Sequence, residues 1–327
     1  MKNSPKVFIH VGKHKCASTS LQKYFFPQLT KNFYDNKKIL KFLLDKDNDG
    51  DVVRRIICQN FTKPKYSHCI NEASQFTIIS REGLSQSNIE AYASKLKHAF
   101  PNAKILCIIR EQFDLLLTLY VWLTSKNPYI SGLDKTVQRI MVSNGKEFLH
   151  HNEPIRIYMD YFGSENVLVL PFELLKHRPE AFYKKIVNFF DPDLVYEIPA
   201  LRKNISYKKN AVDKGMILFN FFRLLFFEYP YIVLNRCGFD RKKDRYRKYA
   251  KRIKRFTRHS FSVYIDKAFP NSPKLRLPLN HYRMYIDEFA YINDEIQTLT
   301  GLDLEFYGYV TTRNRDQFLK ERELFLK

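Results

Sequence analysis

The sequence predicts an α/β protein: a central, mostly parallel sheet with helices on both faces, a P-loop-like phosphate-binding loop, and a helical C-terminal, acceptor-side region. Three observations predict it. Short apolar runs alternate with longer amphipathic stretches from Val7 to Phe190, the pattern of strands joined by helical crossovers. The first apolar run ends in a cluster of basic and hydroxyl side chains, Lys13-His14-Lys15-Cys16-Ala17-Ser18-Thr19-Ser20. Two later runs also end on charged residues, at Arg81-Glu82 and at Arg110. In open α/β sheets, ligands collect at such carboxyl ends.

Each element follows in order. Val7–Val11 reads as a buried strand stopped by Gly12, and Ser20–Leu29 as the helix after it. Residues 31–75 are polar and mixed. Their acidic run Asp45–Asp51 has the flavour of a calcium loop, but Ile56 stands where an EF-hand would need glutamate, so a solvated loop is expected. Phe76–Ser80 is a second strand and Ser87–Phe100 a helix. Lys104–Arg110 is a third strand, followed by a helix over Glu111–Leu123. Asn166–Leu175 gives another strand, and Arg178–Phe190 an amphipathic helix with Pro179 near its start. The 327 residues are read as a single domain (1–327), with a helical, basic, acceptor-side subregion at 216–275. In that subregion the aromatic stretch Met216–Leu234 precedes Arg236–Arg258, which holds twelve Lys/Arg against two aspartates.

The charged strand tips have a physical reading. A strand that turns into a helix exposes the helix's first N–H groups, with the positive end of its dipole behind them, and an anion sits there readily. Lys15 adds a point charge and Ser18, Thr19 and Ser20 add hydroxyls. The plainer alternative is a strand, a turn and a Ser/Thr cap. The Walker A order does not fit, because here the lysine precedes the small residues. At the third strand end, Thr118 lies eight residues after Arg110, a little over two helical turns, so the two share one face roughly. Thr118 as a helix–helix contact and Arg110 as a surface charge are the alternatives.

Composition narrows the partners. Fifty-five Lys+Arg against 34 Asp+Glu give a net charge of +21, which implies an anionic partner: a nucleotide, nucleic acid, an acidic membrane or an acidic glycan. The five cysteines form no CxxC pair and no Cys/His metal pattern, as expected of reduced thiols in a cytosol-like compartment. The N-terminus lacks a signal peptide's apolar region, and no stretch of about 20 residues is free of charge. The expected location is cytoplasmic, with peripheral association at the inner membrane surface as a further option.

With both strand-end loops in view, the chain resembles the sulfotransferases, in the soluble bacterial-type branch that uses 3′-phosphoadenosine 5′-phosphosulfate (PAPS). The family's first signature is a strand followed by Lys-Thr-Gly-Thr-Thr-Ser-Leu-Gln or similar, and here it reads Lys15-Cys16-Ala17-Ser18-Thr19-Ser20-Leu21-Gln22. Its second is a strand ending in Arg with Ser eight residues on, here Arg110 and Thr118. Weaker echoes are "IISREGLS", "LPFELL", "LRKNIS" and "GLDLEFYGY". Two departures stand out: Ala17 for the usual glycine, and Thr118 for serine, which keeps the hydroxyl.

The resemblance implies transfer of the sulfuryl group of PAPS to a hydroxyl or amine of an acceptor by in-line displacement, leaving adenosine 3′,5′-bisphosphate, with no metal required. It explains why lysine precedes the hydroxyls: Lys15 reaches the oxygen between 5′-phosphate and sulfuryl group, where charge develops as the bond breaks. Backbone N–H groups of Ala17–Ser20, with the Ser18, Thr19 and Ser20 hydroxyls, would hold the 5′-phosphate. Arg110 and Thr118 would hold the 3′-phosphate, helped by Arg202 or Lys203. The acceptor's proton needs a base, for which Glu82 is the first candidate and His14 the second; Glu82 paired with an arginine is the structural alternative. By family analogy the acceptor is a glycan or glycoconjugate, anionic or membrane-linked, with no specific nucleic acid expected. The competing readings are a P-loop-like nucleotide kinase and a polyanion- or membrane-binding module built on Arg236–Arg258.

Overall fold

Five parallel strands build the sheet in the spatial order β2-β3-β1-β4-β5. They are β1 (Val7–His10), β2 (Phe33–Tyr34), β3 (Thr77–Ser80), β4 (Lys104–Ile109) and β5 (Val167–Pro171). The structure is a computed structural model, and it describes residues 6–30, 33–34, 43, 76–126, 132–199 and 275–326. The helices are α1 (18–29), α2 (Ile89–Ala99), α3 (Gln112–Lys126), α4 (Leu133–Val142), α5 (Asn152–Phe162), α6 (Phe172–His177), α7 (Pro179–Phe190), α8 (Leu279–Thr300) and α9 (Arg315–Leu326). The chain forms two compact units. The first comprises Met1–Leu115, Ser143–Arg202 and Leu279–Lys327; the second comprises Leu116–Val142 and Lys203–Pro278.

The first unit carries the whole sheet. Strand β1 pairs β3 on one side (Val7 opposite Thr77) and β4 on the other (Phe8 opposite Lys104). All four residues of β1 are buried, as a strand covered on both faces requires. On one face Phe8, Ile78, Leu106, Ile108 and Leu170 pack with Leu21, Phe25 and Phe26 of α1 and with Phe182, Tyr183, Ile186 and Phe190 of α7. The Phe8 and Phe190 rings stack with centroids 4.3 Å apart. On the other face α5 packs on β4 and β5, with α2 and α8 against it. The expected layering of helices on both faces is therefore present.

Several boundaries differ from expectation for physical reasons. Helix α1 starts at Ser18, not Ser20, because Ala17 (φ 62°) already turns the chain into it. Its α-helical Ser18–Ser20 passes into a π-helical turn, Leu21–Phe25, before α-helical Phe26–Leu29. Pro27 lacks the N–H that an α-helical ladder would use, and the Phe26 N–H reaches back to Leu21 O. The expected strand Asn166–Leu175 stops at Pro171, and Phe172–His177 is helical. Proline cannot continue the ladder as a donor. Residues 33–34 form a short edge strand inside a region read as loop. The calcium-like run 45–51 and the aromatic–basic stretch 216–258 lie outside the described residues.

The second unit contains α3 from Leu116 onward and α4. Helix α4 buries Thr136, Val137, Ile140 and Met141, one stripe of an amphipathic helix. No helix among the described residues is long and apolar enough to cross a membrane.

Candidate functional site

The sheet reverses its winding at β1. The chain builds β3 on one side of β1 and then crosses to β4 on the other, and in open α/β sheets ligands bind past the carboxyl ends of strands at such a switch point. The loop holding Lys15 leaves β1 there, and Arg110 follows β4 directly.

The loop is shaped by its own residues. The Val11 N–H donates to Leu106 O at 2.9 Å and keeps the chain beside β4. A Cβ on Gly12 would run into the imidazole of His10, so only glycine fits. Lys15 (φ 68°) and Ala17 (φ 62°) are both left-handed. The N–H groups of Ser20 and Leu21 donate to Ala17 O at 2.8 and 3.1 Å, closing the first helical turn. Those of Ala17, Ser18 and Thr19 have no backbone partner among the described residues. These are the donors a helix start offers to an anion.

The three hydroxyls differ in placement. Thr19 is exposed and Ser20 half-buried. Ser18 is buried, and its Oγ donates to Lys13 O at 3.3 Å, so its hydroxyl serves the loop itself. Between the two lysines the loop divides labour. The Lys13 ammonium is turned inward to the carbonyl oxygens of Glu147 and, at 2.6 Å, His150. Burial lowers its pKa to about 8. Lys15 is half-buried at the tip.

His14 and Glu82, considered separately as bases, form one pair, His14 Nδ1 to Glu82 Oε2. Glu82 opens the short 3₁₀ helix after β3, where the Arg81 N–H donates to His10 O at 3.0 Å. Burial works to raise the Glu82 pKa, but the hydrogen bond and charge of His14, the largest opposing effects, outweigh it and hold the carboxyl below its ordinary value. A carboxylate so stabilised is a weak base. The two candidate bases are thus one hydrogen-bonded pair rather than independent groups. Beneath the pair, His10 Nδ1 and Ser80 Oγ are 2.7 Å apart, and Gln22 Nε2 donates to Ser80 Oγ at 3.1 Å. Burial lowers the His10 pKa to about 4, so it is neutral.

Arg110 reaches the lysine loop. Its Nη1 donates to Lys15 O at 3.1 Å and its Nη2 to Asp114 Oδ2 at 2.7 Å, with Cζ 4.6 Å from the Phe172 ring centroid. The side chain is 12% exposed, and its Nε is buried without a hydrogen-bond partner. Thr118 stands one turn after Asp114 on α3 and belongs to the second unit. Arg202 and Lys203 lie outside the described residues.

Sequence reasoning missed the supports. Asp114, four residues after Arg110, was readable as a helical ion pair. Lys13 was visible only as part of a basic cluster. Glu173 and Tyr309, bonded at 2.7 Å, lie in the echoes "LPFELL" and "GLDLEFYGY", but at 136 residues apart nothing local paired them.

Comparison with family models and with curated proteins gives no match. Among solved structures the chain is similar to a sulfotransferase from Alicyclobacillus acidocaldarius, at 16% identity and TM-score 0.44, over 68% of this chain and 95% of that one. It is also similar to the sulfotransferase domain of the curacin biosynthetic pathway, at 10% identity and TM-score 0.38, over 59% and 76% of the two chains. A third likeness is to the sulfotransferase domain of the Synechococcus PCC 7002 olefin synthase, at 13% identity and TM-score 0.36, over 57% and 73%.

Proposed function

We propose that the chain transfers a sulfuryl group from PAPS to a hydroxyl or amine of an acceptor. The observation that supports the reading is one contact: Arg110 Nη1 donates to Lys15 O at 3.1 Å and links the strand end of β4 to the loop of β1, the two elements proposed to bind the anion. One nucleotide with phosphates at both ends of its ribose suits such a pair of positive sites. In this reading Lys15 stabilises the oxygen that leaves the sulfuryl group, and the N–H groups of Ala17, Ser18 and Thr19 with the Thr19 and Ser20 hydroxyls hold the 5′-phosphate. Arg110 binds the 3′-phosphate, with Thr118, Arg202 and Lys203 as further contacts. The acceptor oxygen attacks sulfur in line, and its proton passes to His14. Because Nδ1 of His14 is turned to Glu82, the proton goes to Nε2. Catalysis by position and electrostatics is what such a site supplies.

A hydroxyl of a carbohydrate or glycoconjugate is the proposed acceptor, and the +21 charge favours an anionic one. A cytoplasmic enzyme that meets a membrane-linked acceptor at the inner membrane surface fits the same charge. The test is mass spectrometry of candidate glycan acceptors incubated with the protein and PAPS in chelator-treated buffer. The expected result is a mass gain of one sulfuryl group on an acceptor with stoichiometric release of adenosine 3′,5′-bisphosphate. Turnover of a nucleoside triphosphate instead, dependent on added magnesium, would favour the kinase reading.

A further inference from the structure

We propose that Glu173 and His151 are positioning residues for Arg110: they clamp the peptide between Arg110 and Glu111 from both sides, Tyr309 holds Glu173, and this clamp sets discrimination for a 3′-phosphorylated donor. The inference rests on the functional reading above.

One peptide group carries the argument. Its carbonyl, Arg110 O, accepts from His151 Nε2 at 2.8 Å. Its N–H, that of Glu111, donates to Glu173 Oε1 at 3.2 Å. The other oxygen of Glu173 accepts from the Tyr309 hydroxyl at 2.7 Å, so a residue just past β5 is tied to the C-terminal segment. The next residue continues the pattern. Glu111 is the N-cap of α3, and its two carboxylate oxygens accept from the N–H groups of Phe113 and Asp114 at 3.1 and 2.7 Å. Asp114, fixed in this way, holds the guanidinium of Arg110 at 2.7 Å, and Arg110 holds Lys15 O at 3.1 Å.

The cost of the arrangement argues for a purpose. Glu111 is 6% and Glu173 9% exposed, and His151 and Tyr309 are fully buried. Burying two carboxylates is expensive, and apolar residues of similar volume would pack a strand end at lower cost. What apolar residues could not do is fix both poles of one peptide. A free arginine side chain loses up to about 2 kcal/mol of rotamer entropy when it is immobilised on a ligand. A guanidinium already held in place loses less on binding, and the Arg110 Nε is already buried, without a hydrogen-bond partner.

The experiment is titration calorimetry of the full chain with adenosine 3′,5′-bisphosphate and with adenosine 5′-phosphate, comparing wild type, Glu173→Gln and Tyr309→Phe. The readout is the ratio of the two affinities, which a general loss of folded protein does not move. Wild type should favour the bisphosphate. Glu173→Gln should reduce that preference by about tenfold or more, the scale of lost supporting contacts, with binding of the monophosphate kept within about twofold. Tyr309→Phe, which removes one hydroxyl, should act in the same direction by about threefold. If Glu173→Gln does not fold, Tyr309→Phe decides alone. A wild-type preference that survives intact in the variants overturns the clamp and leaves the functional reading standing. A wild type with no preference for the bisphosphate overturns the functional reading and the clamp with it.

Discussion

Ala17 stands where the family resemblance places glycine, and its φ of 62° shows what the difference costs. A non-glycine residue in the left-handed region is disfavoured by roughly 1–2 kcal/mol, and Lys15 at φ 68° bears the same strain. Lysine is needed at 15 for its charge; alanine at 17 offers no such return. Ala17→Gly should therefore raise stability by about 0.5–1 kcal/mol in urea unfolding, once glycine's extra freedom in the unfolded chain is subtracted. A loss of stability would mean that residue 17 is not left-handed in solution. At this scale the strand tips were readable: Lys15 follows β1 and Arg110 follows β4, as the apolar runs lead one to expect. The sequence was not readable where orientation decides. Nothing in the sequence says that Ser18 turns to Lys13 O, or that His14 and Glu82, 68 positions apart by number, share one ion pair.

Among the elements, long periodic ones were found and short or interrupted ones were not. Helix α7 was legible because Phe182, Tyr183, Ile186, Val187 and Phe190 repeat at helical spacing behind Pro179. The edge strand Phe33–Tyr34 has two residues, too few for any alternation to register. The π turn in α1 is a consequence of Pro27, and its position could have been argued from that proline. The 3₁₀ turn Asn144–Phe148 carries no apolar period at all. It is held from outside, by the Lys13 ammonium on the carbonyls of Glu147 and His150, while Glu288 of α8 bridges Lys146 and His150 at 2.7 and 2.8 Å. Such a turn is fixed by tertiary contacts between residues more than 130 positions apart, which local sequence does not encode.

For the molecule as a whole, burial of histidine makes stability depend on acid. Burial, the largest cause in each case, lowers the His10 pKa to about 4 and the His151 pKa to about 3. In the unfolded chain both would take up protons near pH 6.5, so the stability that they lend is complete above that value and is lost as pH falls through 4 and 3. Glu111 acts oppositely: burial raises its pKa to about 7, so its contribution is complete below about 4.5 and is lost as pH rises through 7. Burial also raises the Glu173 pKa, so it acts with Glu111, while Glu82, held low by His14, acts with the histidines; with His10 and His151 shifted furthest, unfolding free energy measured in urea should drop between pH 6.5 and 4. A flat profile over that range would show that His10 and His151 are not held neutral. The parallel sheet covered by helices was legible as a class from alternation, because strands buried on both faces read as continuous apolar runs, whereas its reversal at β1 was not read from the sequence. The division into two units was not, since the boundary at Leu115 falls inside the unbroken apolar helix α3. The central claim is that Lys15 at the tip of β1 stabilises the charge that leaves the sulfuryl group. It is tested most directly by the single-turnover rate of sulfuryl transfer from PAPS in Lys15→Ala. The account predicts a fall of about 10²–10³ with the fold unchanged by circular dichroism; a correctly folded Lys15→Ala protein that turns over at the wild-type rate would contradict it.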